Sequence, residues 1–110
     1  MSEPYTLRPR ADRDLDEIAD YYVEESSLEL GFRFLSAAHE TFVLLASQPR
    51  IGWKCRLSHL ALRTARVFPV KGFEKILVFY RPSTGRTEVL RVLHGSRDLE
   101  AAFAADRTIE

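Results

Sequence analysis

Lys75-Ile76-Leu77-Val78-Phe79-Tyr80-Arg81 and Glu88-Val89-Leu90-Arg91-Val92-Leu93-His94, joined by Pro82-Ser83-Thr84-Gly85-Arg86, decide the fold of this chain. β-branched and aromatic runs on either side of a short Pro/Gly linker specify an antiparallel hairpin. In the second run, alternation sets Leu90, Val92 and His94 on one face and Val89, Arg91 and Leu93 on the other. Both faces are largely apolar, which marks a central strand, with Arg91 reaching past the core or pairing with an acid. The hairpin runs out into Gly95-Ser96-Arg97-Asp98, so polar side chains are presented together where the ladder stops.

Working outward, Leu62 to Phe68 alternates as a strand, with Arg63, Ala65 and Val67 opposing Leu62, Thr64, Arg66 and Phe68, and Pro69 to Glu74 makes a turn. Tyr5 to Arg8 is a short first strand, placed at an edge by Pro9. From Ala11 to about Glu25, Ala11, Leu15, Ile18, Ala19 and Tyr22 follow helical spacing, with Asp14, Glu17, Asp20 and Glu24 opposite and Asp12 or a neighbour as cap. Ser26-Ser27 breaks the pattern and caps a second helix to about Ser47, striped by Leu35, Ala38, Phe42 and Leu45 and ended by Pro49. Arg50 to His59 has neither period and reads as a basic loop, the kind of segment that often carries function. Asp98 caps a closing helix to about Asp106, with Leu99, Ala102 and Phe103 on one side, so this segment docks on the sheet. The expected fold is α+β in the order β-α-α-β-β-β-α: a helical hairpin on one face of a mostly antiparallel four-stranded sheet, the other face open, in a single domain over residues 1–110.

At 110 residues, 45% hydrophobic and 29% charged, the composition is that of one globular domain. No apolar run approaches the ~20 residues of a membrane span, and Met1-Ser2-Glu3-Pro4 lacks the basic start of a signal peptide, so a cytoplasmic protein is expected. Cys55 has no second cysteine with which to build a disulfide or thiolate site. A net charge of zero hides a segregation: residues 1–49 carry four basic and ten acidic side chains, residues 50–97 eleven and two, the remaining tail one and four. Such asymmetry fits a surface for an acidic partner.

His94 titrates near neutral pH and, beside Arg97 and with Arg63, would suit phosphodiester chemistry, Arg holding the phosphate and His moving the proton. A histidine before glycine at a strand end equally serves as a structural hydrogen-bonder to its turn. Ser96 and Asp98 lie too close to His94 for a nucleophilic triad. The acids of the first helix are scattered as on a solvated face, and neither His39 nor His59 sits in a metal-ligand pattern, so no metal or cofactor is expected. Trp53 and Phe73 plug a core edge or stack on bases.

Tyr5-Thr6-Leu7, Ala11-Asp12-Arg13-Asp14-Leu15-Asp16-Glu17-Ile18-Ala19-Asp20-Tyr21-Tyr22, Pro49 with Gly52, Leu62-Arg63, Val78-Phe79-Tyr80 and Val89 to Gly95 with Arg97-Asp98 together resemble the ParE/RelE superfamily of bacterial toxins, most of all its ParE branch. The resemblance runs from Tyr5 to about Phe103. It implies the toxin of a type II toxin-antitoxin module, of the kind linked to plasmid stabilisation, held in a hetero-oligomer by a ParD-like antitoxin. The ParE branch implies DNA gyrase as target, no enzymatic activity of its own and only indirect dealings with nucleic acid; the RelE branch cleaves messenger RNA on the ribosome. An RNase here would have to use Arg63, His94 and Arg97, without the Lys-rich cluster or C-terminal Tyr of RelE-like chains, and overall neutrality favours a protein target. Inhibition of gyrase is therefore expected ahead of RNase action or a purely antitoxin-binding, co-repressor role. The candidate partner surface is Lys54, Arg56, Arg63, Arg66, Arg81, Arg86 and Arg91.

Overall fold

The computed structural model describes residues 4–59, 62–83 and 85–105. Its elements are β1 (Tyr5–Leu7), α1 (Pro9–Glu25), α2 (Leu28–Ser47), β2 (Trp53–Lys54), β3 (Arg66–Val70), β4 (Phe73–Ser83), β5 (Arg86–His94) and α3 (Leu99–Ala105). The strands form a five-stranded sheet in the order β1-β5-β4-β3-β2.

The long hairpin is as expected, its strands running on to a Ser83–Arg86 pair. The expectation of four mostly antiparallel strands needs correction. β1 lies parallel to β5, Tyr5 to Leu7 beside Thr87 to Val89, because the chain crosses over through α1 and α2 before returning to the sheet. The fifth strand is β2, cut from the basic loop: Trp53 and Lys54 pair with Val67 and Arg66. Two residues have no period to read, and only the neighbouring strand makes them β.

β3 starts and ends later than its alternation suggested. Residues 62–64 form a turn, with the Ala65 amide donating to the Leu62 carbonyl at 3.0 Å, so Arg63 is on no strand. Pro69 lies inside β3, tolerated because the register shifts between Pro69 and Val70. The reversal into β4 is Lys71-Gly72, where Gly72 takes φ +84°.

β5 carries a bulge. Phe79 faces Arg91 but Tyr80 faces Val89, so Leu90 is an extra residue. Strict alternation is thereby broken. Val89 and Val92 both join the helix-side core, while Leu90 and Leu93 both join a second cluster on the far face.

α1 begins with Pro9 in its first turn, pre-set for helix, and its cap Arg8 makes no side-chain cap bond, so Asp12 caps nothing. α2 is capped as expected, Ser27 Oγ accepting from the Leu30 amide at 3.1 Å. The hairpin closes tightly: a Cβ on Gly31 would stand 2.6 Å from Val23 Cγ2. Phe34, Ala38, Phe42 and Leu45 of α2 then bury with Ala11, Leu15 and Ala19 of α1 against Ile76, Val78, Tyr80, Val89 and Val92. Tyr22, Phe34 and Phe73 pack tilted or edge to face at one end with ring centroids 5.3 to 5.6 Å apart.

The far face is only partly open. α3, capped by Asp98 Oδ1 on the Ala101 amide at 3.1 Å, buries Phe103 against Phe79 with centroids 5.0 Å apart. With Leu62, Ala65, Val67, Leu90 and Leu93 this makes a second apolar cluster. Among the described residues no helix is long and apolar enough to cross a membrane.

Candidate partner-binding surface

The residues that position this surface meet at the end of α2. Tyr80 reaches from β4 through the core, its hydroxyl donating to the Pro49 carbonyl at 2.9 Å and accepting the Gly52 amide at 3.0 Å. Gly52 is demanded by that approach, since a Cβ there would lie 2.6 Å from Tyr80 Oη and 2.7 Å from the Val67 carbonyl oxygen. Arg66 Nη1 donates to the Gly52 carbonyl at 2.7 Å. Burial raises the Tyr80 phenol above its ordinary value, against smaller lowering effects of the Gly52 bond and nearby Arg66. This knot fixes the path of residues 49–54 and so the side chains that follow.

Beyond it, Trp53, Lys54 and Arg56 are exposed while Cys55 and Leu57 turn inward toward the far-face cluster. The Cys55 amide donates to the Ala65 carbonyl at 3.0 Å, extending the pairing past β2. A trough of about 300 Å³ lies there, floored by Val67, Leu77 and Phe79, with Cys55, Leu57 and Leu99 as walls and Lys54 and Arg56 on its rim. Glu100, at the start of α3, is occupied: its two oxygens accept the Ser58 amide at 2.9 Å and Oγ at 2.8 Å. The Cys55 thiol is pushed above its ordinary value by burial first, the Leu57 backbone hydrogen bond opposing and Glu100 reinforcing. It is not an activated nucleophile.

The expected cationic set divides. Lys54, Arg56, Arg63 and Arg86 are exposed. Arg66 is half-buried in the Gly52 knot. Arg81 Nε sits 2.7 Å from Glu88 Oε1, and Arg8 Nε is 3.4 Å from the other oxygen, so one carboxylate lies between two guanidiniums. Arg91 leaves the surface altogether: it is 2% exposed and bonds to Asp14 of α1, so of the two outcomes expected for a central strand it takes the pairing with an acid.

Asp14 is the residue that sequence reasoning misplaced. Put on the solvated face of α1, it is buried, accepting from Arg91 Nε at 2.7 Å, Arg91 Nη2 at 3.0 Å and the Val92 amide at 3.0 Å, with Arg10 Nη1 at 3.1 Å. β1 ends beside Val89, and Asp14 supplies the acceptor to β5 where no strand continues. The signal was present: Asp14 stands three residues after buried Ala11 and four before Ile18, on the inward face.

The supposed catalytic trio is not assembled. His94 Nδ1 accepts the Ser96 amide at 3.1 Å and lies 2.7 Å from Ser96 Oγ, closing its own turn. Its ring borders a hollow of about 410 Å³ with Glu17, Ile18, Tyr21, Tyr22 and Ile76, on the helix side of the sheet. Arg63 projects from a turn whose Leu62 and Ala65 are buried in the far-face cluster. Among the described residues, no hydrogen bond or ion pair joins the side chains of Arg63, His94 and Arg97.

A family model described as ParE toxin of the type II toxin-antitoxin system parDE matches residues 5–99. No curated protein sequence matches the chain significantly. Among solved structures, the chain is similar to one described as the chromosomal ParDE TA system from P. aeruginosa, at 17% identity and a TM-score of 0.68, over 82% of this chain and 92% of that one. At that identity the likeness is one of fold.

Proposed function

The chain belongs to the ParE toxin family of type II toxin-antitoxin systems, and from that premise we propose that it stops growth by inhibiting DNA gyrase until a small ParD-like antitoxin covers it. The observation that carries the choice of a protein target over RNA cleavage is the separation of Arg63 from His94. An RNase needs its proton-transfer group and its phosphate-binding cations within hydrogen-bond reach of one phosphodiester. Here the imidazole is tied into the Ser96 turn beside α1, and Arg63 stands on the turn that covers the other face. A gyrase inhibitor needs no such convergence. It needs a surface, and the exposed cations Lys54, Arg56 and Arg86 offer one.

Two measurements test this. Induced expression of the chain alone arrests growth, and co-expression with its antitoxin restores it. The purified chain inhibits supercoiling by gyrase and leaves ribosome-bound messenger intact. Codon-specific messenger cleavage with undisturbed supercoiling would replace gyrase by the ribosome as the target.

A further inference from the structure

The trough between β2 and α3 combines an apolar floor with a cationic rim. Its floor is apolar side chain on a rigid sheet: Val67 and Phe79 are buried core residues and Leu77 is half-buried beside them. Its rim is cationic, since Lys54 and Arg56 line it and residues 50–59 hold no acid at all. Glu100, next to Leu99 of the wall, is engaged by Ser58. Trp53 and Ile51, 52% and 40% exposed, extend the apolar surface outside the rim. A hollow of about 300 Å³ is at the small end of ligand sites and suits one large side chain. An apolar anchor in a desolvated pocket, ringed by charge that steers its approach, is how a few residues supply most of the energy of an interface.

We propose that this trough seats an acidic segment of the antitoxin, which sets one apolar side chain on Val67, Leu77 and Phe79 and lays carboxylates against Lys54 and Arg56. The inference rests on the toxin-antitoxin reading above. The charge on the rim selects the occupant: a neutral or basic segment would leave both cations facing it without compensation, whereas an acidic one neutralises them.

Cys55 makes the test direct, because it is the chain's single cysteine and a wall of the trough. The full-length toxin is alkylated with N-ethylmaleimide, alone and with saturating antitoxin, and labelling of the toxin chain is followed by mass. Occupation of the trough slows Cys55 modification about tenfold or more, since thiol reactivity follows access. In parallel, Lys54→Glu with Arg56→Glu weakens antitoxin binding about tenfold or more at low ionic strength and much less at high salt, as screening over ~10 Å at 0.1 M requires. Antitoxin bound at full affinity with Cys55 alkylated as fast as in the free toxin overturns the trough and leaves the function standing. Protection by gyrase but not by antitoxin assigns the trough to the target and also overturns the proposal. Absence of any antitoxin binding by the wild-type toxin overturns the functional reading itself.

Discussion

Arg91 of β5 and Asp14 of α1, 77 residues apart in sequence, form a two-bonded ion pair at 2.7 and 3.0 Å with each side chain only 2% exposed. The pair joins three layers, since Arg91 Nη1 also reaches the Ala102 carbonyl at 3.5 Å and its guanidinium lies 5.8 Å from the centre of the Phe103 ring. Such a pair stabilises little relative to apolar residues of the same shape, yet removing one member takes from a buried charge its closest opposite charge.

Asp14→Ala therefore destabilises the fold by about 3 to 5 kcal/mol, and the double variant Asp14→Leu, Arg91→Met recovers a large part of that loss. Urea unfolding of the three proteins, wild type and the two variants, measures both effects. An Asp14→Ala midpoint equal to wild type would mean that the pair is solvated in solution.

Tyr80→Phe removes a buried hydroxyl whose two partners, the Gly52 amide and Pro49 carbonyl, are left without it, and costs about 1 to 3 kcal/mol. The same side chain shapes the alkaline limb of stability. Its folded-state value lies above the ordinary 10.0, so above that pH the unfolded chain loses a proton that the native chain retains. Stability is full below pH 10 and falls as pH rises through the folded value. Tyr22, also raised by burial, adds to the fall, so Tyr80→Phe shallows it without abolishing it. Thermal melts from pH 8 to 11 read the slope, and identical slopes in the two proteins would contradict the assignment.

His94→Ala leaves growth arrest essentially intact. The imidazole makes hydrogen bonds within its own turn, to Ser96, each worth about 1 kcal/mol to folding. Colony counts after induction check it, and loss of toxicity in a protein that still melts cooperatively restores His94 to a chemical role.

Arg81→Glu places a carboxylate directly across from Glu88 and destabilises by about 1 kcal/mol, and adding Glu88→Arg recovers only part of this, since the reversed cross-strand pair sets a second cation against Arg8. Arg86→Glu, at an exposed cation, leaves stability unchanged. Chemical denaturation distinguishes the two. Equal effects of Arg81→Glu and Arg86→Glu would show that the Glu88 contact carries no weight.

The hairpin, both α-helical stripes and the Ser27 and Asp98 caps were legible in the sequence because each is written locally, in periodicity or in a capping residue next to the helix it starts. What was not legible depends on distant partners. β2 exists because Val67 and Arg66 are beside it, and the direction of β1 follows from where the crossover returns it. The bulge at Leu90 defeats any reading by strict alternation, and it decides which of Leu90 to Leu93 face the helices. Charge misled where it was judged by residue type alone: Arg91 was counted with the surface cations and Asp14 with the solvated acids, and each is buried because of the other. The trough was invisible since its floor comes from β3 and β4, its walls from the 55–57 segment and α3.

The pairing of β1 with β5, and of Asp14 with Arg91, has a consequence for how the chain is made. Synthesis runs from the N-terminus at ~5 to 20 residues per second, and non-local contacts form only after both ends of the loop exist. The helical hairpin thus leaves the ribosome with its apolar stripe and its Asp14 carboxylate awaiting β5, a strand translated after it. A nascent chain that stops short of β5 can complete neither core, because Val89 and Val92 belong to one cluster and Leu90 and Leu93 to the other.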